Sequence, residues 1–293
     1  MRKATVEITH VAYGDESSYN IGPYGAVALV SMPVAVASDF SSEVAALLAE
    51  SSVSELRWMK LKSARDRHAA LKVLAAFCAR AERGEVRADV LVWDFNDGRH
   101  AIRGRDDHEN LGRLYYHLSM AVLRDRWPRG GVWGVYPDEF GKMRWQELAE
   151  ILRHQGFKLG LGSGRIADAS LNGFHVVEIA PVVSATEPLV QVADLFAGIA
   201  VYSRTSYDRF EAWQRENGQL GLFEVGEPIM LTSRDRERCV VLDQLKRHAD
   251  ARKWGVSLGS TRGLESRDPA RGRANFWFYV PQHDMDKAPV KAR

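Results

Sequence analysis

The residues that invite a chemical reading are acidic, and they fall where strands are expected to end. Asp15-Glu16 follow an alternating stretch, Asp94 closes the apolar run VLVWDF, and Asp138-Glu139 come directly after GVWGVY. In α/β sheets, ligands bind beyond the carboxyl ends of the strands, so these acids are placed to converge. An Asp after a strand is also an ordinary turn or cap residue; it is the repeated placement that favours a shared site. A further acid, Asp194, lies inside the apolar segment Leu189 to Tyr202. Projected at ~100° per residue, Leu189, Val192, Phe196 and Ile199 form one apolar side, and Val190, Gln191, Ala197, Gly198 and Val201 surround Asp194 on the other. An ionised carboxylate in such surroundings is costly unless paired or metal-bound. Asp194 is therefore either a structural acid, in a salt bridge to an Arg or a buried cap contact, or a metal ligand delivered by a helix packed under the strand ends. Oxygen donors without a His/Cys cluster suit a hard cation, Mg²⁺ or Mn²⁺. Two such ions bridged by carboxylates would activate water and stabilise the leaving oxygen in phosphodiester cleavage.

Positioning these acids requires a sheet. Val6 to Tyr13 alternates as a strand, and Gly14 to Ser17 follow at once, with Asp15-Glu16 at the strand end. A turn-rich stretch with Asn20, Gly22, Pro23 and Gly25 comes next, and Gly25 to Met32 returns as the second arm of a long-looped hairpin. Asp39 to Glu50 reads as a helix, Glu55 to Leu61 as a short strand, and Ala64 to Arg83 as a strongly periodic helix ended by Gly84. Val90 to Phe95 and Gly131 to Tyr136 are continuous apolar runs, the mark of strands buried on both faces. Helices follow over Leu111 to Trp127 and Trp145 to His154, then a strand over Phe174 to Ala180. Pro188 stands in the first turn of the apolar helix Leu189 to Tyr202. The expected fold is a mixed α/β sheet flanked by helices. After about Thr205 the character changes. Polar helices over Glu211 to Asn217 and Asp235 to His248 precede a Gly/Arg-rich loop, Ser260 to Asn275, and an aromatic strand-like run, Asn275 to Val280. This divides the chain into a core, 1–205, and a C-terminal α+β extension packed on it, 206–293.

The ordered motifs Asp15-Glu16-Ser17, Glu55-Leu56-Arg57, Trp93-Asp94, Asp138-Glu139 and Leu189-Val190-Gln191-Val192-Ala193-Asp194-Leu195 resemble those of an uncharacterised bacterial family with an RNase H-like fold. That family opens with DES or DESG, continues with a Glu-Leu-Lys-like segment, and closes its core with LQLADL. Asn275-Phe276-Trp277 also looks like a motif of its longer members. Two departures are Ser18, where members have Gly, and Arg57, where many have Lys; neither removes a carboxylate. The resemblance implies an RNase H-like core and a metal-dependent nuclease with frequent links to mobile elements or defence. In such a site Asp15 would bridge two metals and Asp194 would hold one. The middle carboxylate has two candidates. The strand after the first long helix normally lies beside the first strand in this fold, which favours Asp94, whereas the family motif favours Asp138. Glu16, Glu55 and Glu139 are further candidates, and Lys60 or Lys62 could contact a scissile phosphate.

Other signals are weaker. Gly160 to Arg165 is glycine-rich but lacks dinucleotide-binding spacing, and a loop is the simpler reading. Asp106-Asp107-His108-Glu109 offers metal-ligand types, yet four polar residues before an apolar helix read as its cap and first turn. Ser17 and the scattered histidines form no nucleophile–base pair. Arg99, Arg103, Arg105 and Arg113 form one basic cluster. Arg262, Arg267, Arg271 and Arg273 form another beside Phe276 to Tyr279, a combination that single-strand grooves use.

Composition bounds the rest. The chain has 293 residues, 45% hydrophobic and 27% charged, which excludes a mostly disordered protein. A net charge of +2, from 40 basic and 38 acidic residues, means that any nucleic acid must be held by a local patch. No apolar run approaches the ~18–20 residues of a membrane span, and MRKATVEITH lacks a signal-peptide apolar region. Cys78 and Cys239 stand alone, which suits a reducing cytoplasm. The expectation is a cytoplasmic, divalent-metal-dependent nuclease acting on DNA or RNA through Asp15, Asp138, Asp194 and Asp94, free of membranes and able to form homo-oligomers. The alternatives are a non-catalytic nucleic-acid- or protein-binding module, and metal-dependent phosphotransfer on a small nucleotide.

Overall fold

A six-stranded mixed sheet, with helices on both faces, organises the computed structural model, which describes residues 7–18, 21–97, 106–161, 173–218 and 229–280. The strands are β1 (His10–Ser17), β2 (Tyr24–Pro33), β3 (Arg87–Asp94), β4 (Val132–Pro137), β5 (His175–Ile179) and β8 (Ala274–Phe278), in the spatial order β5-β4-β1-β2-β3-β8. A separate hairpin pairs β6 (Val256–Gly259) with β7 (Gly263–Ser266). β1, β2 and β3 form an antiparallel meander, whereas β4 runs parallel to β1, β5 to β4 and β8 to β3. The near-continuous apolar sequences of β2 and β3 follow from this: both are central strands, covered on both faces.

The helices are α1 (Val34–Glu50), α2 (Ala64–Glu82), α3 (Asp107–Asp125), α4 (Trp145–Leu161), α5 (Pro188–Thr205), α6 (Tyr207–Glu216) and α7 (Ser233–Ala251). α5 lies across β1 and β2, with α1, α2, α6 and α7 around it, and builds the larger core with Phe40, Phe77, Phe196 and Phe276. α3 and α4 cover the opposite face with Tyr115, Leu118, Trp133 and Leu152. Pro188 starts α5, and the Glu187 carboxylate caps it by accepting from Leu189 N–H at 3.2 Å. Fourteen of its residues are then buried, so this helix has no solvent face of any width.

Several elements differ from expectation. The first strand runs from His10 to Ser17 rather than Val6 to Tyr13, because β2 pairs with it as far as Ser17 opposite Ala26. Asp15 and Glu16, expected at the end of the strand, are therefore paired residues near its end. Glu55 to Leu61 is no strand: it is extended, with a 3₁₀ turn at Trp58–Lys60, and the Leu56 and Trp58 N–H groups go to side chains of α5 instead of a neighbouring strand. The expected loop from Ser260 to Asn275 contains β7 and the start of β8. β3 does not lie beside β1, since β2 intervenes; the parallel neighbour of β1 is β4. The segment after Thr205 adds α6 and α7 to the larger core and contributes β8 to the main sheet. No helix of the described residues is long and apolar enough to cross a membrane.

Candidate functional site

Alternation along β1 sends its two acids to opposite faces of the sheet. Asp15, 8% exposed, points with Val11 and Tyr13 towards the α5 side, where Asp194 projects from the helix. Glu16 points to the other face, where its Oε2 accepts from the Tyr115 hydroxyl of α3 at 2.8 Å. Asp138 follows β4; its N–H donates to Gly14 C=O at 2.8 Å, which holds it beside the end of β1. Its Oδ1 accepts from Ser184 N–H at 3.1 Å. Four carboxylates thus meet around the carboxyl end of the β1–β4 pair.

Their mutual influence is visible in their protonation. Burial raises the Asp15 pKa well above the usual carboxylate range, and the charges of Asp194, Glu16 and Asp138 push it further, against one backbone N–H from Glu16. Burial also lifts Glu16 to about 7; Asp138 and Asp194 add to this, while the Tyr115 hydrogen bond opposes it. Asp194 rises to about 6, mainly through burial and with help from Asp138 and Glu55, although the Trp58 N–H and the Arg57 charge favour its ionised form. Like charges gathered in a poorly solvated place are unfavourable unless a cation joins them.

The 55–58 segment frames this cluster. Gln191 and Asp194, three residues apart on α5, share a helix face. Gln191 Oε1 accepts from Leu56 N–H at 2.7 Å, and Asp194 Oδ2 accepts from Trp58 N–H. Gln191 Nε2 also donates to Ser184 C=O at 2.7 Å. Ser184 in turn donates to Glu55 at 3.1 Å and accepts from Arg57. Glu55 is held by Arg57 at 2.6 Å and Lys60 at 2.8 Å. Although burial acts the other way, these cations and Ser184 bring its pKa down to about 2. Gly198 allows the segment to lie this close, since a Cβ there would sit 2.1 Å from Cγ of Trp58.

No protein family model matches the chain. Two proteins of Methanothermobacter thermautotrophicus are similar to it over nearly their whole lengths. Uncharacterized protein ORF2' is 38% identical over 286 residues, covering 94% of this chain and 96% of the relative. Uncharacterized protein ORF2 is 38% identical over 288 residues, covering 95% and 97%. The chain belongs to the ORF2/ORF2' family.

In this ORF2-family chain, Asp15, Glu16, Asp138 and Asp194 come together. Asp94 does not join them: it ends β3, two strands from β1, and accepts from Asn96 N–H at 2.8 Å. Glu139 is exposed, with its backbone N–H on Val182 C=O. Asp106 caps α3 by accepting from Glu109 N–H at 2.9 Å. Phe276 is fully buried in the core, out of reach of a base, and Arg262 and Arg271 pair with Glu265 and Asp268. Gly160 belongs to α4; residues 162–165 of the glycine-rich stretch, and Arg99, Arg103 and Arg105, lie outside the described residues. Gln191 and Ser184 were not singled out from the sequence. The signal for Gln191 was there, in a polar side chain three residues before Asp194 on an otherwise apolar helix.

The donor chemistry fits a hard divalent cation. Asp15, Asp138 and Asp194 each commit one oxygen to a protein donor, leaving Asp15 Oδ2, Asp138 Oδ2 and Asp194 Oδ1 without one among the described residues, while Glu16 Oε2 accepts from Tyr115. The geometry is not that of a ready-made metal centre: among the described residues, no group of three or more His, Cys, Asp or Glu is arranged to hold an ion.

Proposed function

We propose that this protein is a divalent-metal-dependent nuclease with an RNase H-like core, hydrolysing phosphodiester bonds of DNA or RNA. The observation that carries this reading is the convergence of Asp15, Glu16, Asp138 and Asp194 around the end of β1, where, beyond the effect of burial, Asp138 and Asp194 raise the pKa of Glu16, these three raise that of Asp15, and Asp138 raises that of Asp194. The antiparallel β1–β2–β3 meander, extended by parallel β4 and β5 with an acid-bearing helix across β1, supports the RNase H-like assignment. So does the resemblance of the ordered DES, DE and VQVADL segments.

Asp15, Asp138 and Asp194 would hold Mg²⁺ or Mn²⁺, with Glu16 adjoining. The metal would supply an activated water and charge stabilisation at the leaving oxygen. The chain's own groups have simpler tasks. Tyr115 orients Glu16, Trp58 N–H orients Asp194, and Ser184 N–H orients Asp138. Arg57, whose charge is stabilised by Glu55, Asp138 and Asp15 against the opposing effect of burial, stands beside the cluster as a phosphate-binding cation.

A non-catalytic nucleic-acid- or protein-binding module is the second reading, and one observation favours it: no metal-ready group exists among the described residues. Melting curves separate the two. Metal at 100 times its dissociation constant stabilises by about 2.7 kcal/mol. Wild type should melt higher with Mg²⁺ or Mn²⁺, Asp194→Asn should lose that response, and wild type should cut labelled DNA or RNA only with metal. A flat response to both ions in the presence of nucleic acid, with no cleavage, would favour the binding module.

A further inference from the structure

A basic cavity adjoins the carboxylates. About 540 Å³ in volume, it is walled in part by Ser17, Trp58, Lys62, Arg209, Arg234 and Arg238. Ser17 lies two residues after Asp15, so both side chains leave β1 on the same face, and the cavity opens at the α5 side of the acid cluster. Trp58 joins the two places. Its N–H donates to Asp194, its C=O accepts from Arg238 Nη2 at 2.7 Å, and its ring lies beneath the Arg238 guanidinium, 5.0 Å from centroid to Cζ.

Four cations line this cavity against one acid, Asp235. That acid is already engaged: it completes the capping box with Thr232 at the start of α7 and pairs with Arg209 at 3.0 Å. Lys62 and Arg234 are exposed, and neither has an ion-pair partner among the described residues. Arg238 Nε is buried without a hydrogen-bond partner. The first turn of the 19-residue helix α7 also contributes to the wall, adding partial positive charge. Guanidinium and ammonium donors set around such a space match phosphate oxygens, which accept several charge-assisted hydrogen bonds.

We propose that this cavity binds a backbone phosphate of a nucleic-acid strand, placing a neighbouring phosphodiester over Asp15 and Asp194. Lys62 and Arg234 contact the phosphate, while Arg238 forms the wall shared with Trp58. The identity of the strand as a substrate rests on the nuclease reading; the phosphate site does not.

Anisotropy of fluorescein-labelled single strands of DNA and of RNA, bound to the full chain in EDTA across a salt series, tests this. Lys62→Ala with Arg234→Ala should weaken binding about tenfold and flatten the slope of log affinity against log salt by about 0.7, the value for one lost single-strand phosphate contact. Lys62→Arg with Arg234→Lys should retain binding. Both positions are exposed, so the melting temperature should stay unchanged in either double variant. Wild-type affinity and slope in the double alanine variant, or no binding of either strand by wild type, would overturn the proposal. If wild type binds through Lys62 and Arg234 yet cuts neither strand with Mg²⁺ or Mn²⁺, the nuclease reading fails and the phosphate site stands. If it cuts while the double alanine variant keeps wild-type affinity, the reverse holds.

Discussion

Asp15 is buried, and the charges of Asp194, Glu16 and Asp138 push its pKa further up. For such a group the link between protonation and stability has a definite sign. Glu16 titrates near 7 and Asp194 near 6 in the folded protein, both above their unfolded values near 4. The folded state therefore keeps protons that the unfolded chain has lost, and the resulting stability is full at low pH and disappears as pH rises through 6 to 7. Metal-free protein should become less stable over roughly pH 4.5–7, by on the order of 3 kcal/mol for each of Glu16 and Asp194 taken alone. Asp15→Asn keeps the acceptor for Glu16 N–H and removes one charge, so it should raise the melting temperature at pH 8 without metal while abolishing the metal response. A drop at pH 8 would mean that Asp15 is a structural ion-pair partner instead. Tyr115→Phe removes the hydrogen bond that favours ionised Glu16. It should shift metal-induced stabilisation to higher pH, readable from melting curves taken at several pH values.

At the scale of elements, α5 both carries an acid and anchors the segment that frames it. Gln191 is 2% exposed and uses both ends of its amide, on Leu56 N–H and Ser184 C=O. Gln191→Leu would leave both backbone groups without that partner, at about 1–3 kcal/mol each. Denaturant unfolding should show a loss of about 2–6 kcal/mol, together with weaker metal-induced stabilisation, because Trp58 and Asp194 lose their register. Much of this helix was legible beforehand: Pro188, the unbroken apolar run and the lone Asp194 define its span and its buried acid. The 55–61 segment was not, because alternating residue types look the same whether the backbone pairs with a strand or with two side chains of a helix. Asp15 and Glu16 are legible as acids at the end of the first strand, but the extent of the strand is not. The alternating pattern stops at Tyr13, and only pairing with β2 as far as Ala26 carries the strand on to Ser17.

For the whole molecule, alternating strands and helices revealed the fold class but not the order of the strands. Whether β3 or β4 lies beside β1 depends on long-range pairing, and the parallel β1–β4 contact is what brings Asp138 rather than Asp94 to Asp15. β8 was readable as a strand from its aromatic run, yet nothing nearby in sequence indicated β3 as its partner. The join is fastened by Asp89, fully buried on β3, whose Oδ1 accepts from Arg126 Nε and Asn275 Nδ2, both at 2.9 Å. Asp89→Ala would leave Arg126 without its buried partner. A loss of about 3–5 kcal/mol is expected in equilibrium unfolding, with metal binding by the surviving folded protein unchanged. The placement of β8 also has a consequence in time. β3 ends at Asp94, and the strand that covers its outer edge begins about 180 residues later, at Ala274. At roughly 5–20 residues per second, a ribosome needs on the order of 10–40 s to supply it. During that interval a central, apolar strand has an open hydrogen-bonding edge on the nascent chain, a period in which a chaperone, or the slowness of folding itself, must keep it from pairing with a neighbour.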